Sequence, residues 1–300
     1  MKKKTYLFAL MAMVLTLGSC SDNENGIGGE TSKYITVSTS IGNMTRVATD
    51  AKGGQTFEEG DEISVYAWTG ASTVAPETSE RVVNNAINKL TNGSWVSTPQ
   101  MLWKNNREKH YFIGVYPTAA ISDLSAGEYT FDVNKQTESD LLVAVNPDGL
   151  SYSADAQQTV PLTFTHVMAK LAVNLTYKNQ WGGIPTVEKV VVGNAAKEAT
   201  INYLTKVVTP STTAKEDFSL PEITENTKYV SVIIPQEDVK QLTIVIGGKN
   251  FVYDNGTPFK LESGKITTVN LEVGRDEIKL GDVKITNWED GSTFSGEALN

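Results

Sequence analysis

Short runs in which β-branched or aromatic residues alternate with polar ones dominate the sequence beyond residue 33. Residues 34–39 and 63–68 alternate with a period of two, which places every second side chain on the same face of a strand. The apolar run 111–116 ends at Pro117, which stops a strand because proline has no N–H to donate. No stretch keeps the helical period of about 3.6 residues over three turns, and residues 78–90 fit either one helix or a strand and a loop. The pattern predicts an all-β fold.

Turn-forming residues separate these runs at short intervals. Asn-Pro-Asp-Gly at residues 146–149 predicts a turn that closes a strand, because proline fixes φ and glycine leaves it free. Gly-Gly-Lys-Asn at residues 247–250 predicts a four-residue hairpin loop. Short strands between such turns are typical of β-sandwiches, and a length of 300 residues suits two domains of about 150 residues each. We expect the join within residues 157–170, with a boundary near residue 160.

The N-terminus carries the features of a bacterial export signal. Lysines at residues 2–4 precede an apolar stretch at residues 6–17, which is shorter than the roughly 20 residues that span a bilayer as a helix. Small residues then precede Cys20, and this pattern resembles the lipobox of bacterial lipoproteins. In that interpretation residues 1–19 are a signal peptide, and Cys20 carries lipid chains such as palmitate that anchor the protein. The alternatives are a plain secretory signal with an incidental cysteine and a buried free thiol.

A polar, glycine-rich stretch follows the cysteine, and residues 20–32 are therefore a predicted flexible tether. Its acidic start also resembles the surface-export signal of some Gram-negative anaerobes. The net charge is −9, and no long basic run exists beyond the lysines at residues 2–4. We therefore expect no nucleic-acid partner.

Residues that catalysis or metal binding would need are scarce. One cysteine and two histidines exclude a Cys-rich zinc site, and the sequence has no nucleophile elbow, phosphate loop or dinucleotide glycine fingerprint. His110 follows a charged run and is expected to be a solvated loop residue, whereas His166 is expected to be a hydrogen-bonded structural residue. The acids within residues 58–62 could form a glycosidase pair or a calcium site, but a solvated loop end is the simpler interpretation. We predict no catalytic activity, cofactor or metal.

Several motifs occur in a fixed order along the chain. They are Phe-Glu-Glu-Gly-Asp-Glu-Ile-Ser-Val-Tyr at 57–66, Trp95, Leu-Trp at 102–103, Tyr-Phe-Ile-Gly-Val-Tyr-Pro at 111–117, Ser-Asp-Leu-Leu at 139–142, Pro-Leu-Thr-Phe-Thr-His-Val-Met-Ala-Lys-Leu at 161–171, Ile-Pro-Gln at 234–236, Gly-Lys-Ile at 264–266 and Ile-Thr-Asn-Trp at 285–288. The ordered set resembles the fimbrillin family, in the minor-fimbrium-like branch that builds the type V pili of gut and oral anaerobes. The resemblance runs from about residue 34 to about residue 290.

The resemblance implies a fold, a location and an assembly mechanism. It implies two tandem transthyretin-like antiparallel β-sandwich domains, at residues 33–160 and 161–300, in a surface-exposed lipoprotein of the outer membrane. In the family an Arg-specific protease cuts a loop after the first strand, and a strand from a neighbouring subunit fills the groove that opens. Arg46 is the matching position here, so cleavage is expected between Arg46 and Val47, after a strand at residues 34–41. Main-chain hydrogen bonds give affinity in such strand exchange, and alternate side chains fill pockets.

The donated strand is C-terminal in the family, and residues 282–288 alternate suitably. The implied partners are other pilus subunits, the outer membrane through the lipid anchor, and a host surface or a glycan as ligand of an adhesin. The role of the subunit as stalk, tip or anchor stays open. A pilus subunit or associated adhesin, without catalysis, is the function that the sequence favours.

A surface glycan-binding β-sandwich lipoprotein is the alternative, and the tryptophans distinguish the two functions. The sequence contains Trp68, Trp95, Trp103, Trp181 and Trp288. A sugar platform needs several of them exposed on one face, whereas scattered tryptophans mostly belong to a core. The exposure of Trp68, Trp95 and Trp103 therefore tests the alternative.

Overall fold

The structure is a computed structural model that describes residues 33–42, 56–153, 158–254 and 256–288. Its regular elements are strands, apart from two short 3₁₀ turns at Thr78–Glu80 and Gln136–Ser139. The prediction of an all-β fold is therefore confirmed. Within the described ranges, no helix is long and apolar enough to cross a bilayer.

The strands of the described residues are numbered in chain order. They are β1 (Thr36–Ile41), β2 (Glu62–Thr69), β3 (Val83–Thr91), β4 (Ser94–Thr98), β5 (Lys109–Tyr116), β6 (Gly127–Thr130), β7 (Leu142–Ser151), β8 (Thr159–His166), β9 (Ala169–Tyr177), β10 (Val187–Ala196), β11 (Glu198–Asn202), β12 (Val207–Pro210), β13 (Lys215–Leu220), β14 (Glu222–Thr224), β15 (Lys228–Ile233), β16 (Gln241–Ile246), β17 (Lys249–Asp254), β18 (Lys265–Val273) and β19 (Ile278–Asn287).

These strands form four sheets. A seven-stranded sheet has the order β1-β8-β7-β5-β2-β3-β4, and a five-stranded sheet has the order β14-β15-β9-β18-β19. A four-stranded sheet (β13-β10-β16-β17) and a three-stranded sheet (β12-β11-β6) complete the set. Most pairs are antiparallel, but β1 runs parallel to β8, and β9 runs parallel to β18. The seven- and five-stranded sheets are therefore mixed, and the other two sheets are antiparallel.

The seven-stranded sheet packs against apolar side chains on both faces, and β2 shows why. Ile63, Val65 and Ala67 belong to one core cluster, and Tyr66 and Trp68 belong to a second cluster. Successive side chains of a strand point to opposite faces, so an uninterrupted apolar run is buried from both sides. The first cluster is confined to the seven-stranded sheet and the residues beside it, and the second also includes strands from β9 to β18.

Two turn predictions are wrong. Residues 146–149 do not close a strand but lie inside β7, where they form an irregularity opposite β5 between the pairs Phe112–Asn146 and His110–Leu150. A β-bulge uses the same free glycine backbone as a turn, which explains why the sequence suggested one. The hairpin between β16 and β17 has two loop residues, Gly247 and Gly248, instead of four. Both have positive φ, 59° and 72°, as tight hairpin turns require.

The expected domain boundary between residues 160 and 161 lies within β8, which pairs with β1 and β7. The three-stranded sheet joins β6 to β11 across that boundary. The division of the chain into domains at residues 33–160 and 161–300 stays a prediction.

Candidate functional site: the edge strand β1 and its groove

β1 lies at one edge of the seven-stranded sheet and is bound mainly through a single neighbour. Its residues pair with β8 in register, from Thr36 opposite Thr159 to Ile41 opposite Phe164. On the other side, the N–H of Ile35 donates to the carbonyl oxygen of Met101 at 3.0 Å, just before the strand begins. The predicted strand at residues 34–41 is thus present as β1, and β8 is the strand that holds it.

The side chains of this segment divide between core and solvent. Ile35 and Val37 are buried, with 2% and 6% of their surface exposed, and Ser38 and Ser40 are exposed. The inward side chains complete the core cluster confined to the seven-stranded sheet. The apolar members that other strands and loops contribute to its floor are Ile63, Val65, Ala67, Val83, Ala86, Met101, Trp103, Phe112, Leu142, Ala144, Val160, Leu162 and Phe164. Without β1, this floor would be open to water along one side, as an apolar groove.

An aromatic cluster closes the far end of the groove. Phe57 makes edge-to-face contacts with Trp95, Tyr116 and Phe164, at ring-centre distances of 5.3, 5.4 and 5.1 Å. Trp95 Nε1 also donates to the Thr39 hydroxyl at 3.0 Å, which ties β4 to β1 through side chains. Between these two strands lies a cavity of about 550 Å³. Counting only the described residues, the β4 side of β1 is therefore less filled than the β8 side.

Among the described residues, β1 is held by main-chain hydrogen bonds and by the apolar contacts of its inward side chains. Each inward side chain such as Ile35 or Val37 contributes about 1.5–3 kcal/mol through burial, and the ladder with β8 supplies the hydrogen bonds. A different extended segment with alternate apolar side chains would satisfy the same groove.

Three residues expected to act in processing lie outside the described residues. They are Cys20, the predicted lipidation site, and Arg46 and Val47, the predicted cleavage site. In the sequence, Arg46 comes four positions after Gly42, the last described residue beyond β1. Lipidation and cleavage stay predictions.

The prediction for His110 is wrong, and the prediction for His166 is confirmed. His110 is not a solvated loop residue: it lies in β5, fully buried, and its Nε2 accepts the N–H of Lys104 at 3.0 Å. The charged run before it turns back at the start of β5, which leaves His110 facing inward, edge-on to Trp103 at 5.0 Å. Burial lowers the pKa of the His110 imidazole; Glu108 opposes this effect. His166 is a hydrogen-bonded structural residue as predicted, with Nδ1 3.0 Å from the carboxylate of Asp140.

The acids at residues 58–62 organise a loop. The Glu59 carboxylate accepts the N–H groups of Asn92 and Gly93 at 2.8 and 2.6 Å, and Glu62 pairs with Lys89 at 3.0 Å. The Asp61 carboxylate accepts the N–H of Glu58 at 2.8 Å. These contacts match the simpler interpretation of a solvated loop end. Among the described residues, no group of three or more His, Cys, Asp or Glu side chains could hold a metal ion.

The tryptophans do not form the platform that glycan binding would need. Trp68, Trp103 and Trp288 are buried, and Trp95 and Trp181 are partly buried against the core clusters. Trp68 Nε1 donates to the carbonyl oxygen of Ala71 at 2.9 Å, so its polar edge is also used internally. The interpretation of these residues as core is therefore confirmed for Trp68 and Trp103.

The structure reveals a cluster around Trp288 that sequence reasoning missed. The Trp288 ring stacks on His166, with ring centres 4.1 Å apart and planes 6° from parallel, and Lys170 Nζ lies 4.2 Å from the centre of the Trp288 ring. Burial lowers the pKa of the Lys170 ammonium, and the charge of Asp140 acts in the opposite direction. The two motifs that contain His166 and Trp288 are far apart in sequence, so only their shared presence in one ordered motif set could have suggested the contact.

The protein is an all-β protein with β-sandwich-like sheets, in which an edge strand lies over an apolar groove. A sequence profile narrows the class, because the profile of the fimbrillin-like family matches residues 45–288. The chain belongs to the fimbrillin-like family. The family consists of fimbrial subunits, which places the chain on a surface fimbrium in assembly with other pilus subunits. No curated protein sequence matches the chain.

Solved structures share the fold. A candidate cell adhesion protein from Bacteroides ovatus is similar with a TM-score of 0.64 and 18% identity, over 85% of this chain and 98% of that one. A candidate cell adhesion protein from Bacteroides uniformis has a TM-score of 0.62 and 18% identity, over 77% and 93% of the two chains. A fimbrial protein from Bacteroides vulgatus has a TM-score of 0.52 and 12% identity, over 84% and 99%. At these identities the likeness concerns the fold alone.

Proposed function

We propose that the chain is the precursor of a non-catalytic pilus subunit or pilus-associated adhesin that assembles by exchange of β1. In this proposal, lipidation at Cys20 brings the precursor to the outer membrane with its body exposed at the cell surface. Cleavage between Arg46 and Val47 then separates β1 from the rest of the chain. A C-terminal strand of a neighbouring subunit takes the place of β1 along β8.

The observation that supports the proposal most strongly is the way in which β1 is held. In the described part of the chain its ladder connects it to β8 alone, while Ile35 and Val37 cover an apolar floor built by residues from five other strands and a loop. In sequence, the segment directly after β1 contains Arg46, so a single cut leaves the strand without a covalent link to the fold. Once β1 is lost, the exposed groove favours uptake of another strand, because burial of its apolar surface is restored.

The names of the structural relatives agree with this function, since two are candidate cell adhesion proteins and one is a fimbrial protein. A ligand of the adhesin would be a host surface or a glycan. The buried Trp68 and Trp103 give the glycan-binding alternative no platform of the kind it needs. We therefore favour assembly over sugar binding as the primary function.

Digestion with an Arg-specific protease tests the proposal. The wild-type protein should give a product that begins at Val47, and this product should form polymers visible by electron microscopy. Arg46→Lys keeps the positive charge but removes the cleavage site, so this variant should stay monomeric under the same treatment. Polymers of the variant, or a cleaved wild-type protein that never polymerises, would contradict the proposal.

A further inference from the structure

The C-terminal strand β19 is weakly buried along its whole length. Among the described strands it is an edge strand, paired with β18 alone. Leu280, Val283 and Ile285 keep 37–38% of their surface exposed. Within residues 278–288, Trp288 is the only buried residue, with 7% of its surface exposed. Apart from the ladder with β18, the side-chain burial that keeps this strand in place is therefore concentrated in one residue at its end.

Trp288 occupies a socket formed by three other parts of the fold. One ring contact comes from His166, the last residue of β8, and the other comes from Lys170 near the start of β9. Asp140, just before β7, fixes the imidazole through its 3.0 Å contact with Nδ1. The main-chain N–H of Trp288 donates to the carbonyl oxygen of Gly264 at 2.9 Å. Aromatic stacking and a cation over the indole both stabilise this seating.

The polar edge of the Trp288 ring differs from its faces, because its N–H is not hydrogen-bonded by the socket. Trp288 Nε1 is buried and, within the described part of the chain, has no hydrogen-bond partner. A buried polar group without a partner opposes burial by about 1–3 kcal/mol. Release of the ring returns this N–H to water, where it can form a hydrogen bond. This hydration offsets part of the free energy that is lost with the ring contacts. Among the described residues, the indole thus gains ring contacts but no hydrogen bond from the socket.

We propose that Trp288 is a releasable latch, which holds β19 against its own subunit until the strand is donated to a second copy of this chain. The inference rests on the proposed function, in which a C-terminal strand is exchanged. It names the strand as β19 and its restraint as the socket of His166, Lys170 and Asp140. The socket lies at the end of β8, which is the same strand that holds β1.

Hydrogen exchange measured by mass spectrometry on the uncleaved monomer tests the latch. Trp288→Ala should speed amide exchange in β19 by about ten- to a hundredfold, which is the effect of losing a buried aromatic side chain on a local opening. Trp288→Phe should retain most of the protection, because the stack survives and the unpaired N–H is removed. Val283→Ala, a half-exposed position on the same strand, serves as the matched control and should change exchange little.

The outcomes separate the latch from the proposed function. Unchanged exchange of β19 in Trp288→Ala, or equal effects of Trp288→Ala and Val283→Ala, would overturn the latch. If Trp288→Ala does not fold, Trp288→Phe decides, since loss of β19 protection in that folded variant contradicts a ring-based latch. Faster exchange in β19 without faster polymerisation after protease treatment would support the latch and contradict strand donation by β19.

Discussion

At the scale of single residues, Phe164 shows how the groove depends on close packing. It pairs with Ile41 across the ladder between β1 and β8, and its ring meets Phe57 at 5.1 Å. The same ring lies directly over Gly114, where an added Cβ would come within 2.6 Å of the Phe164 ring. The backbone at Gly114 does not have a positive φ, so its conformation does not require glycine. Glycine is favoured there because a larger residue would collide with the Phe164 ring. In the proposed exchange, the strand that replaces β1 would need a side chain that fits beside this ring.

His110 leads to a prediction about pH. Burial lowers the pKa of its imidazole below the usual value in the folded state, with Lys104 adding to the shift and Glu108 opposing it. The unfolded chain then binds more protons than the folded chain as the pH falls below about 6.5. The stabilisation from neutral His110 is thus present above that pH and is lost as the pH falls through the lowered pKa of the folded state.

Urea denaturation of the wild type and of His110→Gln over the same pH series measures this effect. We expect the free energy of unfolding to decrease more steeply in the wild type than in His110→Gln as the pH is lowered from about 7.5 to about 5. The two proteins share every other ionisable side chain, so the difference between the two curves isolates His110. Parallel curves would show that this imidazole does not couple folding to pH.

At the scale of elements, the two faces of β1 have different surroundings: one packs on the apolar core and the other is exposed to solvent. Val37 faces the apolar floor with 6% of its surface exposed, and its neighbour Ser38 faces solvent. The period of two along a strand makes adjacent positions a matched pair, because they share the ladder but not the face. The two positions can therefore separate the contribution of the groove from that of the main-chain hydrogen bonds.

Aspartate substitutions at this pair test the role of the inward face. Val37→Asp should lower the free energy of unfolding by about 3 kcal/mol or more, because an unpaired charge enters an apolar site or β1 leaves it. Ser38→Asp introduces the same charge one position away and should stay within about 0.5 kcal/mol of the wild type. Denaturation in urea measures both. Similar decreases in the free energy of unfolding of the two variants would mean that burial of the inward side chains does not stabilise β1 in the groove.

The elements also show which parts of the structure a sequence can predict. β2 and β5 were predictable, because their apolar runs and the proline after β5 are local signals. The extension of β7 through residues 146–149 was not, since a bulge and a turn require the same backbone freedom. The parallel pairing of β1 with β8 and the stack of His166 on Trp288 join distant segments. Local periodicity carries no information about such partners, and only the family resemblance indicated that β1 matters.

At the scale of the whole molecule, β8 connects the two ends of the proposed exchange. Along its length it pairs with β1, and at its last residue it supports the ring of Trp288. The receiving groove and the strand to be donated therefore meet on one element. In the proposed mechanism, β1 is removed from the fold after cleavage, and β19 is released from it for donation to a neighbouring subunit.

Hydrogen exchange in β8, followed through three states of the protein, tests the central claim most directly. The main-chain amides of β8 that face β1 should be protected in the uncleaved precursor, exchange rapidly in the cleaved monomer, and regain protection in the polymer. This sequence follows because each hydrogen bond lost with β1 is remade by the strand of a neighbour. Protection in β8 that persists in the cleaved monomer, or that fails to return in the polymer, would contradict assembly by exchange of β1.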